Sequence, residues 1–221
     1  MITEYWRGYI RQRGAFAFLY LVWRKFVSQF ISTRFLRCDS LMLCGDFQIS
    51  GYKCINIGKL TAGSRFRLEA IIYSGRQEFT PEICIGNNVS FGSDVHIGCI
   101  SKLSIGNNVL CGSYITILDH NHGSYSPHEI LQSQPNSGPA SRVLVSAPIT
   151  IGDNVHLGEY VVILKGVTIG SGSVIGAGSV VTRSIPAGCI AAGNPAKVIR
   201  KFDFAKNKWT LQNNDDHAVN E

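Results

Sequence analysis

A six-residue repeat constrains the fold of this chain more than any other feature of its sequence. Twelve six-residue units can be aligned, and nine of them have Gly in the second place while eight have Val or Ile in the fifth. With 23 Gly among 221 residues, chance predicts about one such Gly. The units begin at Ile85, Phe91, Ile97, Ile105, Cys111, Ile117, Ile151, Leu157, Ile163, Ile169, Ile175 and Val181.

A period of six indicates short strands joined by tight corners, because it is longer than strand alternation and differs from the helical period. In such a coil an aliphatic side chain faces the interior, and Gly or Asn adopts the corner backbone. The composition, 45% hydrophobic and 16% charged, excludes a disordered chain. The sequence therefore predicts a mainly β protein, a parallel β-helix in which each turn buries the face of its neighbour.

Residues 83–199 resemble the hexapeptide-repeat acyltransferases, with looser echoes of the repeat from about Cys38. The resemblance implies a three-sided, left-handed parallel β-helix, acetyl-CoA as acyl donor and a homotrimer. It is closest to the enzymes that O-acetylate sugars of bacterial surface polysaccharides, alongside the maltose, galactoside and streptogramin acetyltransferases. We expect an N-terminal helical segment over 1–37, the β-helix over 38–200 with a protruding loop at 119–148, and a C-terminal tail over 201–221, polar and disordered after Phe204.

The repeat breaks at 119–148, and a long excursion from a regular solenoid often has a function. The loop opens with Asp119, His120, Asn121 and His122. The resemblance makes His120 the general base, since a sugar hydroxyl must lose its proton as it attacks a thioester carbonyl. Asp119 or a backbone carbonyl would orient the imidazole. His122 is the rival base, or a support for the loop or the acceptor.

A zinc site is an alternative to this interpretation, because three imidazoles around an open position form a catalytic zinc centre. The three candidates are His96, His120 and His122. The resemblance extends to carbonic anhydrases of the same fold, in which four residues separate the two later His, whereas a single residue separates His120 from His122. We therefore expect no metal.

The C-terminal part of the repeat resembles the acetyl-CoA groove of the family, in which small residues admit the pantetheine and basic ones meet the phosphates. His156 stands where many members have Trp, so any packing by that Trp must come from elsewhere. By position, the residues expected to contact the cofactor are His156, Glu159, Ala177, Thr182, Arg183, Lys197 and Arg200.

The acceptor side is less marked: Asp94 and His96, one coil before the proposed base, are expected to face the same cleft, and Tyr114 is another candidate. The sequence predicts sugar O-acetylation. N-acetylation of a nucleotide-linked amino sugar, acetylation of an antibiotic and a non-catalytic solenoid scaffold remain as alternatives. A nucleotide-binding βαβ unit, common in the amino-sugar enzymes, is absent from the sequence pattern.

The N-terminal part reads as a helix with nine consecutive apolar residues at 15–23, too few to span a bilayer. Arg24 and Lys25 follow, and apolar residues continue with helical spacing. Two interpretations stay open. The helix packs on its own oligomer, or it lies in a membrane interface with its aromatic side chains at the headgroups and its basic ones on anionic lipid.

The net charge of +6 indicates an anionic partner, and the basic residues divide between the two ends of the chain. No aromatic residues interleave with them in the repeat, so nucleic acid is not expected. Seven Cys, an odd number, favour a reducing compartment. We expect a cytoplasmic protein, at the inner face of the membrane if the helix binds lipid.

Overall fold

The computed structural model describes residues 15–75, 77–125 and 132–211, which form a helix followed by strands. The helix, α1, covers Ala15–Arg34. Short 3-10 turns occur at Tyr52–Cys54 and Pro139–Ser141. In chain order the strands are β1 (Arg37–Leu43), β2 (Phe47–Ser50), β3 (Ile55–Ala62), β4 (Phe66–Ala70), β5 (Tyr73–Ser74), β6 (Gln77–Glu78), β7 (Glu82–Ile85), β8 (Val89–Phe91), β9 (His96–Cys99), β10 (Lys102–Ile105), β11 (Leu110–Cys111), β12 (Thr116–Leu118), β13 (His120–His122), β14 (Leu144–Ser146), β15 (Ile149–Ile151), β16 (His156–Leu157), β17 (Val162–Ile163), β18 (Thr168–Ile169), β19 (Val174–Ile175), β20 (Val180–Val181), β21 (Cys189–Gly193), β22 (Ala196–Asp203) and β23 (Lys208–Leu211).

Successive strands of the coil occupy three faces in turn, and along each face a strand pairs in parallel with the coil strand one turn away. Face I contains the first half of β3 with β7, β10, β15 and β18. Face II contains the second half of β3 with β8, β11, β16, β19 and β21. Face III contains β2, β4, β9, β12, β17 and β20. The expected three-sided, left-handed parallel β-helix is confirmed.

The interior is a stack of aliphatic side chains in register along the axis. On face III, Ile97 pairs with Ile117 and Ile117 with Ile163, and none of the three is exposed. Burying each such side chain contributes roughly 1.5–3 kcal/mol. Cys111 is buried in one of these inward places on face II.

The corner between faces I and II carries a column of Asn. Asn88, Asn108 and Asn154 have φ of 57°, 56° and 57°, and Gly172 continues the column at 71°. The Asn88 amide donates to Oδ1 of Asn108 at 3.1 Å, and the Asn108 amide donates to Oδ1 of Asn154 at 3.2 Å. Asn tolerates this left-handed backbone better than most residues, so the repeat places it there.

The second-place Gly residues of the repeat are required for a different reason. None of these nine has a positive φ, so the expectation that they serve the corner angles is wrong. A Cβ on Gly106 would lie 2.4 Å from Oδ1 of Asp153 and 2.8 Å from the carbonyl carbon of Gly152. At seven of the nine positions a Cβ would lie less than 3.0 Å from a backbone atom of the next coil, so Gly is needed there, and Gly98 and Gly176 are the two exceptions.

The C-terminal end departs from the sequence expectation. The tail expected over 201–221 does not begin at residue 201, because β22 continues to Asp203 and pairs antiparallel with β23. The Asp203 carboxylate accepts the backbone N–H of Lys206 in the turn, and Phe202 packs edge-on against Trp209 at 5.2 Å between ring centroids. These contacts extend the strands to Leu211. Residues 212–221 lie outside the described residues.

The loop at 119–148 leaves face III after β12 and returns to face I at β15. Its two arms, β13 and β14, pair antiparallel, with His120 opposite Ser146 and His122 opposite Leu144. The side chain of Gln77 accepts the backbone N–H of Leu144 at 2.7 Å, which fastens the returning arm to the solenoid. The loop base is thus a structured hairpin.

The N-terminal segment expected over 1–37 is helical over α1, and residues 1–14 lie outside the described residues. No helix in the described part of the chain is long and apolar enough to cross a membrane.

Candidate active site

His120 lies at the corner between faces III and I, where the chain leaves the solenoid. It begins β13, directly after the buried Asp119, and its side chain is only 10% exposed. The regular coil therefore holds the residues before His120, while the hairpin holds those after it. Such a position fixes the ring on a rigid element.

Asp119 is buried and fully engaged by hydrogen-bond donors. Its Oδ1 accepts the backbone N–H of Ile100 at 2.9 Å, and its Oδ2 accepts those of Ser101 and Lys102 at 2.7 and 3.0 Å. The Cys99 thiol lies 3.2 Å from Oδ2. These donors come from the corner one coil earlier, so the preceding coil builds a cradle for this carboxylate.

The electrostatics of the cradle favour an ionised Asp119. Burial alone raises the pKa of Asp119, but hydrogen bonds from His120, Ile100, Ser101 and Cys99 outweigh it and hold that pKa below its usual range. Burial and the nearby carboxylate raise the pKa of the Cys99 thiol, which therefore remains a donor. The site combines a buried anion with an inert thiol.

The carboxylate fixes the tautomer of the imidazole. Oδ1 of Asp119 lies 2.9 Å from Nδ1 of His120, and an ionised carboxylate accepts hydrogen bonds only. Nδ1 must therefore carry the hydrogen, which leaves the lone pair on Nε2. Among the described residues, Nε2 of His120 has no hydrogen-bond partner, so it is available to a proton donor in a ligand.

Beside His120 is a space that exists because residue 98 is Gly. A Cβ on Gly98 would lie 3.4 Å from Cε1 of His120 and 3.7 Å from Nε2 of His96. It would also lie 2.9 Å from a methyl of Leu118, its partner in the face III ladder. His96 and His120 thus border one small site on the outer surface of face III.

A second carboxylate, Glu69, supports His96 and was missed by the sequence reasoning. Oε2 of Glu69 lies 3.2 Å from Nε2 of His96 and 2.6 Å from Nε of Arg67, and Oε1 accepts from the Gln48 amide at 3.2 Å. Glu69 is 8% exposed. The signal that predicts this cluster is coil register, because Glu69 pairs with Gly98 and Arg67 pairs with His96.

His122 is exposed two residues beyond His120. It lines an open cavity of about 520 Å³ together with Arg142, Leu144 and Gln77. The Tyr125 hydroxyl donates to the backbone carbonyl of His122 at 2.5 Å, so the backbone here belongs to the loop network. This placement is compatible with the supporting role expected for His122.

The other two acceptor candidates lie at the corner between faces II and III. Asp94 forms a two-pronged ion pair with Arg65, with both distances 2.5 Å, and both residues have positive φ. Tyr114 stacks on Tyr160 at 4.5 Å with an interplanar angle of 1°, and Tyr160 was not among the sequence candidates. The structure therefore does not group Asp94 and Tyr114 with His96 beside the base.

The expected cofactor residues fall into two groups. His156 belongs to an outward ladder across face II that passes through Val174 and Ile190 to Arg200. The members of this first group lie on face II, its closing hairpin or its end corner, and all are exposed: His156, Glu159, Ala177, Lys197 and Arg200.

The second group comprises Thr182 and Arg183, both exposed after β20. The ladder from Ile117 through Ile163 to Val181 puts them at the same corner as Asp119, two coils farther along. On a three-sided coil this corner is opposite face II. One copy of the chain therefore does not bring the two groups together.

Within the described ranges, no group of three or more His, Cys, Asp or Glu residues is arranged to hold a metal ion. His96 and His120 are each turned to a carboxylate through one ring nitrogen. The three His weighed as zinc ligands thus form no such group.

Known proteins resemble this chain both within the repeat and over most of its length. The family model "Bacterial transferase hexapeptide (six repeats)" matches residues 148–183. The Escherichia coli K12 protein WbbJ, which carries the name of a lipopolysaccharide biosynthesis O-acetyl transferase, is 42% identical over 156 residues, covering 70% of this chain and 76% of its own. The galactoside O-acetyltransferase of the same organism is 40% identical over 126 residues, covering 52% and 57%.

A solved structure agrees with the fold. A hexapeptide-repeat acetyltransferase of Vibrio cholerae, crystallised with acetyl-coenzyme A, superposes with a TM-score of 0.53 at 20% identity, and the alignment covers 85% of both chains. At this identity the likeness concerns the architecture of the coil.

Proposed function

Since this chain belongs to the hexapeptide-repeat acetyltransferases, we propose that it moves an acetyl group from acetyl-CoA to a hydroxyl of a sugar in a bacterial surface polysaccharide or its precursor. The observation that carries this proposal is the Asp119–His120 pair, an imidazole of fixed tautomer at the break in the repeat. The similarity to WbbJ and to a galactoside O-acetyltransferase supports a sugar acceptor.

The geometry fits direct transfer with a single base. Nε2 of His120 takes the proton of the sugar hydroxyl as its oxygen attacks the thioester carbonyl carbon. The tetrahedral intermediate expels the CoA sulfur, and the proton on Nε2 passes to that sulfur. The imidazolium formed between these steps is stabilised by the Asp119 carboxylate, which stays ionised. No acyl-enzyme forms, so both substrates must be bound together.

The basic residues fit the phosphates of CoA. Lys197 and Arg200 are exposed on β22, where they offer charge-assisted contacts to a pyrophosphate or a 3′-phosphate. We expect the Lys197→Ala and Arg200→Ala double variant to raise the KM for acetyl-CoA roughly 10-fold with little change in kcat. The matched control is Lys208→Ala, which removes an exposed cation from the neighbouring strand β23.

The split of the cofactor residues supports a trimer. Arg183 shares the corner of His120, whereas His156 and Arg200 occupy the opposite face of the same chain. A groove lined by both groups requires the corner of one copy to meet face II of the next. Light scattering on the purified protein tests this. A monomeric mass with full activity would contradict a cofactor groove shared between two copies.

Release of CoA thiol in the presence of candidate glycans tests the central assignment. His120→Ala is expected to lower kcat by roughly 10²–10⁴-fold, which is the usual contribution of a general base. His122→Ala is the matched control, because His122 is exposed and lies two residues farther along the same strand. If His122→Ala loses activity while His120→Ala keeps it, His122 and not His120 is the general base.

A further inference from the structure

Helix α1 carries a stripe of exposed, large apolar side chains. Five large side chains recur at spacings of three and four, which places them on one side of the helix. Their exposed fractions are 90%, 60%, 55%, 75% and 57%, for Phe16, Leu19, Trp23, Phe26 and Phe30 respectively. We call these five residues the aromatic stripe.

A different side of α1 is anchored to the solenoid. Nε of Arg24 donates to the Leu43 carbonyl at 3.1 Å, another of its nitrogens donates to the Gly45 carbonyl, and Oγ of Ser28 accepts the Leu43 N–H at 2.9 Å. Arg24 and Ser28 are both buried. Because these bonds fix the rotation of the helix, it cannot roll to hide the aromatic stripe.

Cations border the C-terminal end of the stripe. Helix α1 contains no Asp or Glu, and its exposed side chains include Lys25 and Arg34. Arg34 lines an open cavity of about 530 Å³ with Phe35 and Lys53. Phe35 lies 6.2 Å from Phe30 between ring centroids, so aromatic surface continues from the stripe to this basic rim.

We propose that the aromatic stripe docks on the surface of a bilayer containing anionic lipid, with Arg34 and Lys53 against the headgroup phosphates. Aromatic rings suit the boundary between headgroups and acyl chains, and cations beside them are attracted to an anionic surface. A 20-residue helix of this kind lies in the plane of the interface.

The alternative occupant is the helix of a second copy, and the charges disfavour it. The three-four spacing also occurs in helix–helix seams, but those seams favour branched aliphatic residues over Phe and Trp. A second copy would bring the same cations toward Lys25, Arg34 and Lys53, without an acidic residue on the helix to pair with them. Lipid phosphates supply the missing negative charge.

The test is flotation of the full chain with phosphatidylethanolamine vesicles, with and without phosphatidylglycerol. The protein is expected to float with the anionic vesicles and to be released by high salt. Phe26→Ser is expected to lower the partition at least about 10-fold, because it removes a large apolar group from the stripe. The matched control is Phe204→Ser, which removes an aromatic side chain that is 81% exposed at the other end of the chain.

A second pair of measurements separates the two occupants. Arg34→Gln with Lys53→Gln is expected to abolish the preference for phosphatidylglycerol, and light scattering is expected to give the same mass for Phe26→Ser as for the native chain. Absence of flotation by the native chain, or equal flotation of Phe26→Ser, overturns the proposal. If Phe26→Ser loses flotation and also has a smaller oligomer mass than the native chain, the proposal is overturned, since the stripe is then an interface between copies.

Discussion

Oδ1 of Asp119 and Nδ1 of His120 are 2.9 Å apart although the two residues are consecutive, and the first is 1% exposed while the second borders the outer surface. The chain achieves this because Asp119 turns inward at the end of a coil strand, where the preceding corner offers three backbone N–H groups. The same bonds that hold the corner together orient the His120 ring. If His120 is the base, as proposed, stability and catalysis are coupled at Asp119.

The first prediction concerns activity. Asp119→Asn is expected to lower kcat by roughly 10²–10⁴-fold with a small change in KM, because a neutral amide neither enforces the Nδ1–H tautomer nor stabilises the imidazolium. Thiol release under saturating substrates measures it. Asp153→Asn, which changes an exposed corner carboxylate bonded to Asn107, serves as control. Equal kcat in the two variants would remove Asp119 from the mechanism.

The second prediction concerns acid stability. The pKa of Asp119 is lower in the folded chain than in the unfolded one, so its contribution is complete above the unfolded value of about 3.9 and is lost as pH falls through the folded pKa. Asp119→Asn leaves buried donors poorly paired, and we expect it to cost about 1–3 kcal/mol at neutral pH.

Denaturant unfolding of the native and Asp119→Asn chains across pH measures this difference. It is expected to stay constant from neutral pH to about pH 5 and to shrink below about pH 4. A difference that grows on acidification would show that folding raises the pKa of Asp119 instead of lowering it.

The extent to which the sequence predicts this structure follows from how far the repeat extends. It predicts a parallel coil with Asn at its corners and a break at Asp119–His120, because these features are visible within the six-residue units, whereas the three sides and the left hand come from the resemblance to the family. Glu69 was missed because its contact with His96 joins residues 27 apart and lies in the early coils, where the pattern is loose. Coil register, available only after alignment of the looser turns, brings these two together.

The C-terminal strands were missed for a related reason. The segment after Phe204 is polar, and sequence alone gives no period there. The pairing depends on a turn closed by the Asp203 carboxylate and on the contact of Phe202 with Trp209, which is made only when the two strands are already antiparallel. The cofactor residues were likewise assigned by position, and only the coil shows that they occupy a corner and the face opposite it.

The third prediction concerns the space at Gly98. Gly98→Ala places a methyl in contact with the His120 ring, 3.4 Å from Cε1, and 2.9 Å from a flexible methyl of Leu118, so the fold is expected to persist while the methyl fills the space beside the ring. Loss of this space is expected to misplace the reacting hydroxyl and to lower kcat/KM by roughly 10²-fold. The control is Gly138→Ala, where the added Cβ would meet Oγ of Ser141 at an ordinary 3.6 Å. Unchanged kcat/KM in Gly98→Ala would mean that the reacting hydroxyl lies elsewhere.

The last prediction concerns the acceptor. Glu69 accepts from Arg67, Gln48 and the ring of His96, so His96 donates through Nε2 and its lone pair is on Nδ1, which under the proposed function is available to a sugar hydroxyl. In Glu69→Gln the amide replaces one accepting oxygen with a donor that faces these donors, and the His96 ring loses its fixed orientation.

We expect Glu69→Gln to raise the KM for the acceptor several-fold while the KM for acetyl-CoA stays unchanged. This rise corresponds to a loss of about 1 kcal/mol in the binding free energy of the acceptor. Glu82→Gln is the matched control, because its carboxylate pairs with Lys102 on the exposed outer surface of face I. Initial rates with each substrate varied in turn separate the two KM values. An equal rise in both would assign Glu69 a structural role in the coil, because an acceptor-positioning residue affects only the acceptor side.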